Sequence, residues 1–132
     1  MSVSIEKCLG TPDSSPALLK TLADNSFDSI LITDATSKQK ITYANKAFKK
    51  LTGYDPSEVI GKTPRILQGV GTDKKIIARL AKVLETGKKF EGRTINYKKD
   101  GSPFIMFWRV APVKTGKKIV GWLATQREGS VI

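Results

Sequence analysis

The order of strand-forming and helix-forming segments constrains this chain most. Phe27 to Thr33 and Lys40 to Ala44 are β-branched-rich runs joined by a polar turn from Asp34 to Gln39, a hairpin pattern. Three further runs lie toward the other end: Phe90 to Tyr97, Phe104 to Val113 and Ile119 to Arg127. Turn signals separate them at Lys98 to Gly101 and at Lys114 to Lys117. Phe104, Met106, Trp108 and Val110 alternate onto one face, and Val120, Trp122, Ala124 and Gln126 onto another. Between the two groups the punctuation is helical. Asn45 opens a helix in which Ala47, Phe48 and Leu51 keep helical spacing, and Gly53 supplies a left-handed stop. Asp55, Pro56 and Glu58 are a compact start signal for a single turn through Val59 and Ile60. Thr72 and Asp73 start the longest helix, with Ile76, Ile77, Leu80, Val83 and Leu84 on its apolar stripe and Gly87 at its end. Two strands, several helices and three strands predict an α+β fold, a five-stranded antiparallel sheet with helices packed on one face.

Residues 1–25 read as a leader. Gly10, Pro12, Ser14 and Ser15 loosen it, and Pro16 after a serine cap starts a short helix to Ala23 with Leu18, Leu19 and Leu22 on one side. Such a helix covers the domain or a second subunit. Residues 26–128 form the domain, and 129–132 a tail too short for an effector, so the chain is either a stand-alone receiver or an excised piece. The 132 residues suit one core.

Composition removes several chemistries. The chain has no histidine, so imidazole acid–base work and His-containing metal sites are excluded, and no serine or cysteine stands beside a base. Neither an enzyme nor a metal protein is expected. The single cysteine, Cys8, fits a reducing compartment, and no run is long or apolar enough for a membrane span or a signal peptide, so the expectation is a cytoplasmic location. The net charge is +11, from 23 Lys+Arg against 12 Asp+Glu. It is carried mostly by lysine pairs scattered through turns and helix ends, a solvated surface rather than the arginine-bearing stripe of a nucleic-acid reader.

Gly61 to Gly69 is the candidate ligand stretch. A short helical turn there points Arg65 and Gln68 the same way, since residues three apart share a face. An arginine fork and an amide can then address the polar tail of a ligand whose flat part lies against Ile66 and Leu67. Taken alone, Arg65 reads more readily as a helix-end ion pair and Gln68 as a backbone cap than as ligand contacts.

The run from Ile41 to Gly61 resembles the front half of a PAS sensory domain. Ile66 to Gly69, Asn96 to Gly101, Pro112 with Val113, and Thr125 to Glu128 resemble its light-oxygen-voltage (LOV) subclass more specifically, and order and spacing are kept from Ser26 to Glu128. The resemblance implies a flavin, FMN or FAD, held by Thr63, Arg65, Leu67, Gln68, Asn96, Trp108 and Gln126. Arg65 would meet the phosphate, Gln68 the ribityl hydroxyls and Asn96 the pyrimidine edge. Gln126 would lie near the ring nitrogen whose protonation changes on reduction, and Trp108 near the ring as an electron donor. The sequence also departs from the family. Thr63 and Pro64 stand where the subclass has asparagine and an adduct-forming cysteine, Met106 stands for a second asparagine, and Ala81 for a second phosphate-binding arginine, with Arg79 two positions away. Proline carries no nucleophile, so no covalent adduct forms there. These losses keep a second reading open, a PAS interaction module with an empty or non-flavin pocket. In either reading the sheet face and leader helix make a homodimer or receive a signalling partner.

Overall fold

In the computed structural model, which describes residues 14–129, ten elements make up one five-stranded sheet and the helical segments around it. They run α1 (Ser14–Asp24), β1 (Ser29–Asp34), β2 (Ile41–Ala44), α2 (Lys46–Thr52), α3 (Pro56–Val59), a 3-10 turn (Pro64–Leu67), α4 (Lys74–Glu85), β3 (Phe90–Tyr97), β4 (Pro103–Thr115) and β5 (Lys118–Glu128). The strand order is β2-β1-β5-β4-β3, antiparallel throughout. Cys8 and most of the leader lie outside the described residues.

Local chemistry accounts for the punctuation. The Asp34 carboxylate gathers the hairpin turn, accepting from Thr36 Oγ1 at 2.7 Å, Lys40 N at 3.1 Å and Thr36 N at 3.2 Å. Asn45 caps α2 through Phe48 N, and Gly53 closes that helix in the left-handed conformation. Asp55 caps α3 through Ser57 N with Pro56 in the first turn. Glu58 accepts from the Asp55 backbone, as expected of that cap, and also reaches Lys99 at 2.8 Å, tying α3 to the β3–β4 turn. The Lys99 hydrogen bond holds its carboxyl below the usual range. Asp73 caps α4 through Lys75 N.

The sheet presents Leu31, Phe104, Met106, Trp108, Val110 and Trp122 inward, where Phe48, Val59 and Leu67 from the helical layer meet them. One expected face shifts. A bulge between Val113 and Lys114 pairs Val113 with Gly121 and Lys114 with Ile119, skipping Val120. Ile119 therefore joins Trp122 and Ala124 against the core while Val120 is exposed. Phe27, read as the start of β1, lies before the strand and is fully exposed.

Helix α1 begins at Ser14, so Ser14 and Ser15 lie within it rather than before it, and it buries none of its residues. Its C-terminal end is held instead by two polar contacts. Tyr43 Oη donates to the Asp24 carboxylate at 2.9 Å; burial first, then that acceptor, pushes the phenol up to about 12, so it stays protonated and donating well beyond neutral pH. Asn45 does more. It is 2% exposed; its Oδ1 accepts from Ile30 N at 2.9 Å and Phe48 N at 3.1 Å, and its Nδ2 donates to Ala23 O at 2.8 Å and Asp28 O at 3.1 Å. One side chain thus joins α1, β1 and α2. No helix among the described residues is long and apolar enough to cross a membrane.

Asn45→Ala removes four side-chain hydrogen bonds at a buried junction, leaving Phe48 N with only Asn45 O and Ala23 O with only Ser26 N, so it should cost about 2–4 kcal/mol in a urea unfolding titration. A loss under 1 kcal/mol would mean that solvent replaces the clamp without penalty.

Candidate functional site

The helical layer does not close fully on the sheet. Between the 3-10 turn, α4, the β1–β2 loop and the inner faces of β1, β3, β4 and β5 lies a cavity of about 540 Å³. That volume is in the range of small-molecule and cofactor sites, whereas packing defects in protein interiors rarely exceed a water molecule.

The wall forms because the Gly61 to Gly69 stretch is pinned at both ends. Gly61 takes a left-handed backbone with φ +84°, and Ile41 clasps it, its O accepting from Gly61 N at 2.8 Å while its N donates to Lys62 O at 2.7 Å. At Gly69 the reason for glycine is space, since a Cβ would sit 2.5 Å from the Tyr97 ring. The following loop is latched onto β3 by side chains. Gly71 N donates to Tyr97 Oη at 2.7 Å, Thr72 Oγ1 donates to Ile95 O at 2.8 Å, and Asp73 N donates to Thr94 Oγ1 at 2.8 Å. Between these anchors Thr63, Pro64, Arg65, Leu67 and Gln68 face the cavity. Three residues complete one 3-10 turn, so Arg65 and Gln68 eclipse, and Gln68 N donates to Arg65 O at 3.0 Å.

All seven residues singled out from sequence line this one space: Thr63, Arg65, Leu67, Gln68, Asn96, Trp108 and Gln126. Ile66 does not line it and packs against the core instead. Pro64, Met106 and Ala81 occupy the wall as well, so each departure from the family pattern falls in the site itself. Arg79 is not in the wall. Its guanidinium donates to Glu91 O at 3.1 Å and stacks over the Phe90 ring at 4.7 Å, which removes it as a stand-in for a cation at position 81.

Register explains the amides. Ser29, Gln126 and Trp108 are direct cross-strand partners on β1, β5 and β4, so their side chains form a row on the inner face. Gln126 is 3% exposed and its Oε1 accepts from Ser29 Oγ at 3.0 Å. Trp108 stacks on Phe90 with centroids 5.2 Å apart, tilted by 51°. Asn96 lies diagonally across from Met106 and is 4% exposed. Its Nδ2 reaches only the Met106 sulfur, at 3.5 Å, and its Oδ1 has no partner. A thioether is a weak acceptor, so this buried amide is satisfied by the protein on neither side to full strength. Leaving such an acceptor unpaired costs about 1–3 kcal/mol.

Sequence reading missed Trp122, Ser29 and the β1–β2 loop residues Thr36, Ser37 and Gln39. Trp122 was placed on the right face without being assigned to the site, and it lines the cavity, as do Leu84 and Glu85 of α4. The loop residues have no signal beyond their polarity.

Comparison with known proteins agrees with this geometry. A family model described as a PAS domain matches residues 28–128. The chain is 35% identical over 123 residues to phototropin-2 of Oryza sativa subsp. japonica, a match covering 89% of this chain and 14% of that protein. It is 47% identical over 75 residues to a blue-light-activated histidine kinase of Brucella anthropi, covering 57% of this chain and 15% of that one. The chain thus spans a small part of either relative. Among solved structures, a light-oxygen-voltage domain studied with a flavin analogue superposes with a TM-score of 0.80 at 34% identity, covering 89% of this chain and 88% of that one. The chain belongs to the PAS family, and to its light-oxygen-voltage type, with Pro64 where the adduct-forming cysteine of that type would stand.

Proposed function

We propose that this domain binds a flavin, FMN or FAD, without a covalent bond and senses blue light or redox state. The observation that carries the reading is Asn96: a buried amide in the wall of a cofactor-sized cavity whose carbonyl oxygen has no partner. A flat heteroaromatic edge offering both an N–H and an acceptor satisfies that amide, and the pyrimidine edge of a flavin is such an edge. Leu31, Leu67, Leu80 and Val110 supply apolar contact for the ring, and Arg65 and Gln68 meet the tail. Relatives named for blue-light activation and for light-oxygen-voltage chemistry support the class of signal.

A bound flavin would supply reversible reduction, driven by light or by a reductant, with a change of protonation at a ring nitrogen. The chain's own part is to read that change. Gln126 can present either oxygen or nitrogen, and turning its amide over exchanges an acceptor for a donor at Ser29 Oγ, a hydroxyl able to serve as either. Ser29 opens β1. Beside it, Asp28 O accepts from Asn45 Nδ2, and the same nitrogen holds Ala23 O at the end of α1. A rearrangement at the cavity therefore has a continuous polar route to the leader helix, with no thiol involved. Trp108, in the same cross-strand row, is the electron donor in this reading. The domain acts by shape rather than by catalysis.

The purified protein should be yellow, or become so with FMN or FAD; a chain that stays colourless after both incubations removes the flavin reading. In the flavin-loaded protein, Gln126→Leu should weaken the change in amide hydrogen exchange of α1 on illumination or reduction, and an unaltered change would rule out the amide route.

A second reading is supported by α1 itself. Leu19 and Leu22 are 62% and 51% exposed and Phe27 is fully exposed, apolar surface that a second copy or a signalling partner would cover. Light-scattering mass should show a dimer that is lost without residues 1–25; a monomer in both cases would argue against self-association through the leader.

A further inference from the structure

We infer that the cavity does not select for a terminal phosphate on its ligand and takes riboflavin, whose tail is a neutral polyol, within about tenfold of FMN. This rests on the flavin reading and narrows it.

Among the described residues, the ionisable side chains in the cavity wall are one arginine and one glutamate, Arg65 and Glu85. Their formal charges cancel. A phosphate monoester carries about −1.5 to −2 at neutral pH and wants several cationic or N–H partners, ideally a fork on each side. Helix α4 is rich in cations, yet the residues it presents to the cavity are Ile77, Leu80, Ala81, Leu84 and Glu85. Its Arg79 is committed to the Glu91 carbonyl and the Phe90 ring on another side. The methyl of Ala81 offers an anion nothing.

Arg65 is exposed and, among the described residues, makes no ion pair of its own. It is free to meet a phosphate, but an ion pair open to water is worth a factor of about one to five in binding. The remaining lysines of the +11 chain add a diffuse field, screened beyond about 8 Å at physiological ionic strength. Uncharged groups are better represented in the wall. Thr36, Ser37, Gln39, Thr63 and Gln68 offer hydroxyls and amides that both donate and accept, as the hydroxyls of a ribityl chain do.

The test is a pair of fluorescence-quenching titrations of the whole chain with riboflavin and with FMN at 0.15 M salt, after removal of any co-purified flavin. The expected result is a Kd ratio below about ten. A ratio of ten or more in favour of FMN overturns the inference and leaves the flavin reading standing, whereas binding of neither ligand overturns both. Two variants probe the cause. Ala81→Arg should move the ratio toward FMN by up to about fivefold. Glu85→Gln, isosteric and at the exposed end of α4, should move the ratio toward FMN by about two- to threefold. Circular dichroism checks that each variant is folded. No movement of the ratio in either folded variant would contradict the charge argument.

Discussion

The pairing of β1 with β5 is the constraint on which the rest depends. Six residue pairs, from Ser29 with Gln126 to Asp34 with Gly121, join an early hairpin to the last strand of a late meander. With the two ends fixed side by side, the intervening segment from Lys46 to Glu85 has to cross one face of the sheet and return. It does so in short pieces, α2, α3, a 3-10 turn and α4, and each of the three α-helices is begun by a carboxylate or amide cap. Short pieces cannot cover a twisted sheet as a long helix would. What they leave is the cavity, and the latches from Gly71, Thr72 and Asp73 onto β3 keep it open at a fixed width.

The same pairing decides the chemistry of the wall. Because Ser29, Gln126 and Trp108 fall in one cross-strand row, a polar contact and an indole stand side by side at the floor of the site. Asn96 adds an amide that the fold leaves without a full set of protein partners, a stability cost that a ligand with complementary groups would offset in the proposed reading. Polar groups buried at the expense of packing are expected at functional sites. Pro64 sits in the same wall and removes nucleophilic chemistry there while leaving the amides in place. In the proposed reading, recognition and covalent trapping are separable, and this chain keeps only the first.

Much of this was legible in the sequence because it is written locally. Asn45, Gly53, Asp55 and Asp73 cap or stop helices with contacts a few residues away, and the turn at Lys98 to Gly101 follows from its own residues. Arg65 and Gln68 share a face for a reason internal to one turn. Long-range and out-of-phase features were not legible. Nothing near Val120 announces that a bulge would hand its place to Ile119, since the bulge answers to the register of a partner strand. Ser29 is tied to the site only because β5 brings Gln126, a residue of the wall, opposite it. Glu58 reads as half of a local cap, and its second partner, Lys99, lies forty-one residues on, where no local pattern points. The resemblance to the PAS family supplied what spacing could not, the identity of strand residues that converge from distant parts of the chain.

The central claim, that Asn96 is kept for a ligand rather than for the fold, is tested most directly by thermal melts of the wild type and Asn96→Leu, each with and without FMN. Removing an unpaired acceptor and filling its place with apolar volume should leave the ligand-free melting temperature unchanged or higher, and should abolish most of the rise that FMN gives the wild type. A variant that melts well below the wild type without ligand, yet gains as much from FMN, would make Asn96 a structural residue and contradict the account.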